Sequence, residues 1–140
     1  MTLLITGLSG AGKSYFCQRF SEQCYAAHFN NDFIRNLTKN QDFSMNGRIL
    51  AAKNMKKAVD ESDARVKLID MICPTKELRK IISPDVIVYI KTDCASKYSD
   101  TDALYEEPSI EEARYFFSCY TRQTDQLVDR VLYWLYKIPQ

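Results

Sequence analysis

A glycine-rich stretch near the amino terminus carries the residue types best suited to chemistry. Residues 7–14 read GLSGAGKS and match the pattern G-x-x-x-x-G-K-[ST] at every fixed position. Glycines let successive backbone N–H groups point inward around an anion, and the amino end of a following helix attracts the same charge. Lys13 is suited to reach the β- and γ-phosphates of ATP, and the Ser14 hydroxyl is suited to bind Mg²⁺. The residues predicted to bind the nucleotide are Gly7, Leu8, Ser9, Gly10, Ala11, Gly12, Lys13 and Ser14.

A second group of functional residues lies in FNNDFIR, residues 29–35, directly after a candidate strand. Asp32 could accept a proton from an attacking hydroxyl group or help to hold Mg²⁺ together with Ser14. Arg35, one helical turn further on, could bind an anionic acceptor. Taken alone, Asp32 and Arg35 could equally form an exposed ion pair at helical spacing. With the glycine-rich stretch, they predict that Lys13 and Asp32 are catalytic.

Asp70 interrupts the apolar run 66–72, which otherwise indicates a buried strand. An acid at the end of such a strand often assists the metal of a phosphate-binding loop. Met71 and Ile72 follow Asp70, however, which would place it inside the strand. Two interpretations stay open: an acid that serves the metal, and an acid at the edge or surface of the sheet.

Composition limits the classes of protein that the chain can belong to. Its 140 residues are a single-domain length, and 19 basic against 18 acidic residues give a net charge of +1. This balance gives no indication of a general binding surface for nucleic acid or for a membrane. The apolar runs are too short to span a membrane or to form a signal peptide. With five scattered cysteines, which predict reduced thiols, we expect one cytoplasmic domain over residues 1–140.

Strand and helix patterns alternate along the chain. Strands are predicted at 2–6, 25–29, 66–72, 85–90 and 114–119. Helices are predicted at 14–24, 32–37, 44–61, 75–82 and 124–137, with a long functional loop at 92–108. This order predicts an α/β fold, the P-loop NTPase three-layer sandwich, with a mostly parallel sheet of four to five strands flanked by helices. Aromatic residues 133, 134 and 136 are expected in the core.

Several blocks, in order along the chain, resemble the adenylylsulfate kinase family. They are ITGLSGAGKS, NNDFIR, LTKNQDFSMNGR, ICPTKELRK and YSDTDALYEEP, between residues 5 and 108. The resemblance implies transfer of the γ-phosphate of ATP to the 3′-hydroxyl of adenosine 5′-phosphosulfate (APS), with Mg²⁺. It also implies a small-molecule nucleotide as acceptor and no membrane partner.

The same resemblance implies roles for individual residues. Asp32 corresponds to a catalytic, metal-associated aspartate. The acceptor-binding residues that it implies are Arg35, Phe43, Arg48, Ile72, Cys73, Pro74 and Tyr98. Phe43 and Tyr98 would hold the acceptor base between them, an arrangement in which each stacking contact contributes about 1–3 kcal/mol.

The chain departs from the family pattern at three places. Asn30 stands where the family has an aspartate, and residues 50–52 read Leu-Ala-Ala where the family has an asparagine. The family's mobile lid after the fourth strand is missing. Lys97, Arg79 or Arg48, or a second subunit of a homodimer, would then have to supply the lid's cationic groups. Two alternatives remain open: a kinase for another hydroxyl acceptor, such as a polynucleotide end or a hydroxymethylated base in DNA, and a non-catalytic nucleotide-binding protein.

Overall fold

A parallel β-sheet forms the centre of the fold. The computed structural model describes residues 1–94, 96 and 98–138. The strands are β1 (Thr2–Thr6), β2 (Ala27–Asn30), β3 (Lys67–Asp70), β4 (Val86–Lys91) and β5 (Tyr115–Tyr120). They lie in the order β2-β3-β1-β4-β5, and every neighbouring pair is parallel. The predicted parallel sheet is therefore confirmed.

Helices cover both faces of this sheet. They are α1 (Lys13–Ser21), α2 (Asn31–Thr38), α3 (Met45–Asp60), α4 (Lys76–Ile82), α5 (Ser99–Leu104) and α6 (Thr124–Lys137). Two short 3₁₀ turns lie at Ile110–Glu112 and Thr121–Gln123. None of the helices in the described ranges is long and apolar enough to cross a membrane.

The alternating side chains of β1 contribute to two separate cores. Leu3 and Ile5 are fully buried in a core that α1 and α6 complete. Leu4, between them, points to the opposite face and is buried with residues of α3 and α4. Because both faces are covered, the central strand is apolar along almost its whole length, as parallel sheets require. The predicted three-layer architecture follows directly from this arrangement.

Side-chain hydrogen bonds cap the amino ends of α3 and α4. The Ser44 side chain accepts a hydrogen bond from the Gly47 N–H, and Thr75 accepts one of 3.2 Å from the Leu78 N–H. Ser109 forms a capping box with Glu112, but only the 3₁₀ turn follows it. The chain then pairs with β4 from Tyr115 onward. The aromatic, β-prone run therefore forms a strand, as predicted.

Segment 92–108 is not wholly a loop, contrary to the prediction, since α5 lies within it. Only Thr101 of this six-residue helix is buried, so no apolar period marks it in the sequence. The Asp102 carboxylate accepts hydrogen bonds of 2.8 Å and 2.6 Å from the N–H and the hydroxyl of Ser96. These contacts fold the segment back on itself and favour the helix.

The aromatic residues of α6 are only partly in the core. Trp134 packs on Tyr115 and Phe117 of β5, with ring centroids 4.6 Å and 5.3 Å apart. Tyr133 and Tyr136 are exposed, so the expectation that they lie in the core is wrong. The inward face of α6 is instead aliphatic, since its stripe of leucines and valines already fills the space over the sheet.

Candidate active site

The loop between β1 and α1 wraps around the amino end of α1. Gly7, Gly10 and Gly12 all have positive φ, at 155°, 84° and 114°. A Cβ atom at Gly7 would lie 2.4 Å from the carbonyl oxygen of Ile90, at the end of β4. Gly7 is therefore required both by its backbone angle and by the close approach of a neighbouring strand.

Lys13 reaches back over this loop. Its Nζ donates a hydrogen bond of 3.0 Å to the Leu8 carbonyl oxygen, which also accepts the Ala11 N–H. Burial lowers the pKa of Lys13, while the nearby carboxylates of Asp70 and Asp32 act in the opposite direction. A buried ammonium group at the amino end of a helix is a strong attractor for a phosphate chain.

Asp70 lies beside the glycine-rich loop at the carboxyl end of β3. The Ser14 hydroxyl donates a 2.6 Å hydrogen bond to its Oδ2. The same oxygen lies 3.0 Å from Nε2 of His28 and accepts a 3.3 Å hydrogen bond from the Asn30 amide. Asn30 and Asp70 are direct partners in the β2–β3 ladder. Asp70 is buried on an interior strand, so it is not an acid at the edge or surface of the sheet, and its role toward a metal stays a prediction.

Hydrogen bonding sets the ionisation of Asp70. Burial alone raises the pKa of this carboxyl group, but the hydrogen bonds from His28 and Ser14 lower it and outweigh burial. Asp70 is therefore a buried carboxylate in its charged form. Sequence reasoning undervalued it because Met71 and Ile72 seemed to continue the strand, whereas β3 ends at Asp70.

One cleft of about 570 Å³ joins the glycine-rich loop to the residues after β2, β3 and β4. Thirteen of the predicted site residues line it: Ser9, Gly10, Gly12, Lys13, Ser14, Asp32, Arg35, Phe43, Arg48, Ile72, Cys73, Pro74 and Tyr98. Gly7, Leu8 and Ala11 are not among the lining residues. The unpredicted lining residues are Tyr15, Asn30, Asn31, Asp70, Met71, Leu78, Asp100 and Thr101.

Arg35 lines the cleft and is almost fully buried. Its Nη1 donates to the carbonyl oxygens of Asn40 and Asp42, at 3.1 Å and 3.0 Å. Its Nε is buried and has no hydrogen-bond partner among the described residues. Burial lowers the pKa of Arg35, and the neighbouring Arg48 lowers it further. Two guanidinium groups therefore lie close together in this corner of the cleft, with the carboxylates of Asp32 and Asp42 near Arg35.

Phe43 extends from the loop before α3 and is half exposed. The Arg35 guanidinium carbon lies 4.2 Å from its ring centroid, so a cation covers one face of the ring. The Arg48 guanidinium carbon lies 6.0 Å from the same centroid. The stacking role of Phe43 stays a prediction.

Arg48 links α3 to the segment after β4. Its Nε donates to the Phe43 carbonyl oxygen at 2.9 Å, and its Nη2 donates to the Thr101 hydroxyl at 3.0 Å. The Asp100 carboxylate is 3.9 Å from the same nitrogen. Tyr98, at the start of α5, also lines the cleft and is about half exposed. Helix α5 therefore forms part of the cleft wall.

Arg79 and Arg48, two of the residues expected to replace the cationic groups of the missing lid, have different environments. Arg79 is fully buried, where it forms a 2.7 Å ion pair with Glu112 and donates to the Cys73 carbonyl oxygen. It supports the wall after β3 and is not available to a ligand. Arg48 lines the cleft, and Lys97 lies outside the described residues.

Comparison with known proteins gives a fold relationship. No protein-family model matches the chain, and no curated protein matches it. Among solved structures, an unliganded sugar kinase from a Janibacter species matches with a TM-score of 0.72 at 14% identity, over 99% of this chain and 95% of that one.

Two further solved structures that match are complexes with bound ligands. Mycobacterium tuberculosis APS kinase in complex with AMPPNP and APS matches with a TM-score of 0.71 at 19% identity, over 97% of each chain. Acinetobacter baumannii shikimate kinase in complex with shikimate matches with a TM-score of 0.64 at 14% identity, over 99% of this chain and 95% of that one. The chain therefore has the P-loop α/β fold that these kinases share.

Proposed function

We propose that this protein is an ATP-dependent phosphotransferase that transfers the γ-phosphate to a hydroxyl group of a small anionic acceptor, best represented by the 3′-hydroxyl of APS. The observation that carries the proposal is the shared cleft, in which Lys13 and Ser14 face the wall that bears Asp32, Arg35 and Phe43. The solved structures of similar fold, which are kinases for several hydroxyl acceptors, support the same reaction class.

The donor half of the cleft suits a magnesium nucleotide. Ser14 and Asp70 offer hard oxygen atoms in direct contact, and Asp32 offers a third on the same cleft. The Asn31 side-chain oxygen is buried without a partner among the described residues, as a group awaiting a ligand or bound water would be. Such oxygen donors fit Mg²⁺, with Ser14 and Asp32 as candidate ligands and Asp70 behind them. When bound, Mg²⁺ supplies charge neutralisation to the transferring phosphate.

The protein's own groups would carry the other parts of the reaction. Lys13 neutralises charge that develops on the β- and γ-phosphates, and the loop N–H groups hold the phosphate chain in place. Asp32 accepts the proton of the acceptor hydroxyl as that oxygen attacks. Because phosphoryl transfer depends mostly on position and charge, these roles need little further chemistry from the protein.

The acceptor half favours an anion that also carries a flat ring. Arg35 and Arg48 bring two guanidinium groups to one wall, and the buried Nε of Arg35 has no hydrogen-bond partner among the described residues, so a donor is left for an anion. The half-exposed ring of Phe43 offers a stacking surface beside these cations. A nucleotide such as APS meets both requirements, whereas a neutral sugar meets neither.

The test is release of ADP from ATP and Mg²⁺ in the presence of single acceptors. We expect APS to stimulate ADP release and the product to carry one additional phosphate. Stimulation instead by shikimate, by gluconate, by DNA with 5′-hydroxyl ends or by DNA with hydroxymethylated bases would retain the kinase class and exclude this acceptor. ATP binding with no ADP release for any acceptor would favour a non-catalytic nucleotide-binding protein and contradict the proposal.

A further inference from the structure

Three potential metal ligands converge behind the glycine-rich loop, from three different elements. Cys17 lies on α1, His28 on β2 and Asp70 at the end of β3. The Cys17 sulfur, a ring nitrogen of His28 and a carboxylate oxygen of Asp70 all lie within 4.8 Å of one another. His28 is the only histidine in the chain, so the convergence does not reflect a generally histidine-rich surface.

We propose that Cys17, His28 and Asp70 form a binding site for a thiophilic divalent cation, with Zn²⁺ as its representative, and that this ion inhibits the enzyme. Sulfur, imidazole and one carboxylate are typical Zn²⁺ ligands, whereas Mg²⁺ prefers oxygen alone. Thiolate and carboxylate together supply two negative charges to balance the ion. A water molecule can complete a four-coordinate shell, as at open zinc sites.

The contacts already present bring the ligands close to a usable geometry. His28 and Asp70 are in contact at 3.0 Å, a separation that one metal ion can bridge. Cys17 is fully buried, and its thiol releases a proton to solvent as the metal binds. His28 lies on the edge strand of the sheet with its side chain partly exposed, which gives the ion a path from solvent.

The site shares Asp70 with the proposed magnesium position. The oxygen of Asp70 that contacts His28 is the same Oδ2 that accepts the Ser14 hydrogen bond. An ion that takes this oxygen withdraws it from Ser14 and turns the carboxylate toward Cys17. Zinc binding and productive Mg²⁺–ATP binding should therefore oppose each other. This inhibitory consequence rests on the proposed function, whereas the binding site itself does not.

Direct measurements of zinc binding separate the binding site from its inhibitory consequence. Calorimetric titration of the metal-free protein with Zn²⁺ alone, without nucleotide, should show one site with micromolar or tighter affinity. Cys17→Ala and His28→Gln should each weaken it by more than the about 10–100-fold that loss of an outer-shell partner costs. Cys24→Ala and Cys94→Ala are matched controls, because these thiols lie outside the group, and they should bind Zn²⁺ like the original protein.

Cobalt provides a readout that does not depend on any variant folding. Co²⁺ added to the unaltered protein should give the intense absorption of a thiolate–cobalt complex, and Zn²⁺ should displace it. ADP release at fixed excess Mg²⁺–ATP should fall with buffered free Zn²⁺, and this inhibition should weaken in Cys17→Ala relative to its own zinc-free rate. A cobalt complex without thiolate absorption, or unchanged zinc affinity in Cys17→Ala and His28→Gln, would overturn the site. Zinc binding without inhibition would overturn only its inhibitory role.

Discussion

The hydroxyl of Ser14, the second residue of α1, donates a 2.6 Å hydrogen bond to Asp70, the last residue of β3. This contact joins the glycine-rich loop to a neighbouring strand that is 56 residues away in the chain. His28 and Asn30 hold the same carboxylate oxygen from the other side. The carboxylate is thus fixed in place and charged before any ligand arrives.

Asp70→Asn should therefore impair the use of Mg²⁺. The amide keeps the shape of the side chain but removes its negative charge, so we expect a higher magnesium requirement and at least a tenfold fall in kcat. ADP release measured across a Mg²⁺ titration at saturating ATP would show both changes. A variant with the original magnesium dependence would exclude Asp70 from the metal site.

Lys13→Ala should abolish phosphoryl transfer and weaken ATP binding. The variant lacks the buried ammonium group, so the phosphate chain loses its main cationic contact. Calorimetry with a non-hydrolysable ATP analogue measures binding, and ADP release measures turnover. Lys53→Ala is the control, because Lys53 is an exposed residue of α3 outside the cleft. Equal behaviour of the two variants would contradict the role of Lys13.

Asp32→Asn should leave ATP binding nearly unchanged and lower kcat by about 10²–10⁴-fold, the usual contribution of a general base. The amide cannot accept the proton of the attacking hydroxyl group. Single-turnover kinetics with saturating acceptor isolates this step from product release. Asp129→Asn, on the exposed side of α6, should turn over normally. If Asp32→Asn also turns over normally, a catalytic role for Asp32 is excluded.

Phe43→Ala should raise the KM for a base-containing acceptor while the KM for ATP stays constant. Loss of one stacking contact of about 1–3 kcal/mol corresponds to roughly 5–150-fold. Phe33→Ala is a matched control, because Phe33 is an exposed phenylalanine of α2 that does not line the cleft. A change in the KM for ATP as large as that for the acceptor would exclude a role for Phe43 that is specific to the acceptor.

Glu112→Gln should destabilise the fold by about 3–5 kcal/mol, because it leaves the buried charge of Arg79 without its partner. Burial raises the pKa of Glu112, but the hydrogen bonds from Arg79 and Ser109 outweigh it and lower the pKa overall. A carboxyl group with a lowered folded-state pKa stabilises the protein above its unfolded pKa, and this stability is lost as the pH falls.

The difference in Tm between the original protein and Glu112→Gln should therefore shrink on acidification below about pH 5. Thermal melts at several pH values measure it. Glu111→Gln, at the neighbouring exposed position, should melt like the original protein throughout. A difference that stays constant with pH would show that the Glu112 charge does not contribute to stability.

Much of the architecture could be predicted because it depends on local signals. The glycine pattern and the apolar runs of the strands and helices each lie within a short segment of the sequence. Helix α5 could not be predicted in this way, because its stability comes from Ser96, Asp102 and the contact of Thr101 with Arg48. A short helix with one buried residue has no periodicity to detect.

The sequence by itself determined the glycine-rich loop, the alternating order of strands and helices, and most residues that line the cleft. Only the tertiary structure decided which carboxylate contacts the loop, because Asp70 meets Ser14 through the parallel pairing of β1 and β3. It also decided that Arg79 is a buried support and that Arg35 covers one face of Phe43. Such choices depend on contacts between segments far apart in the chain, which residue types and spacing do not specify.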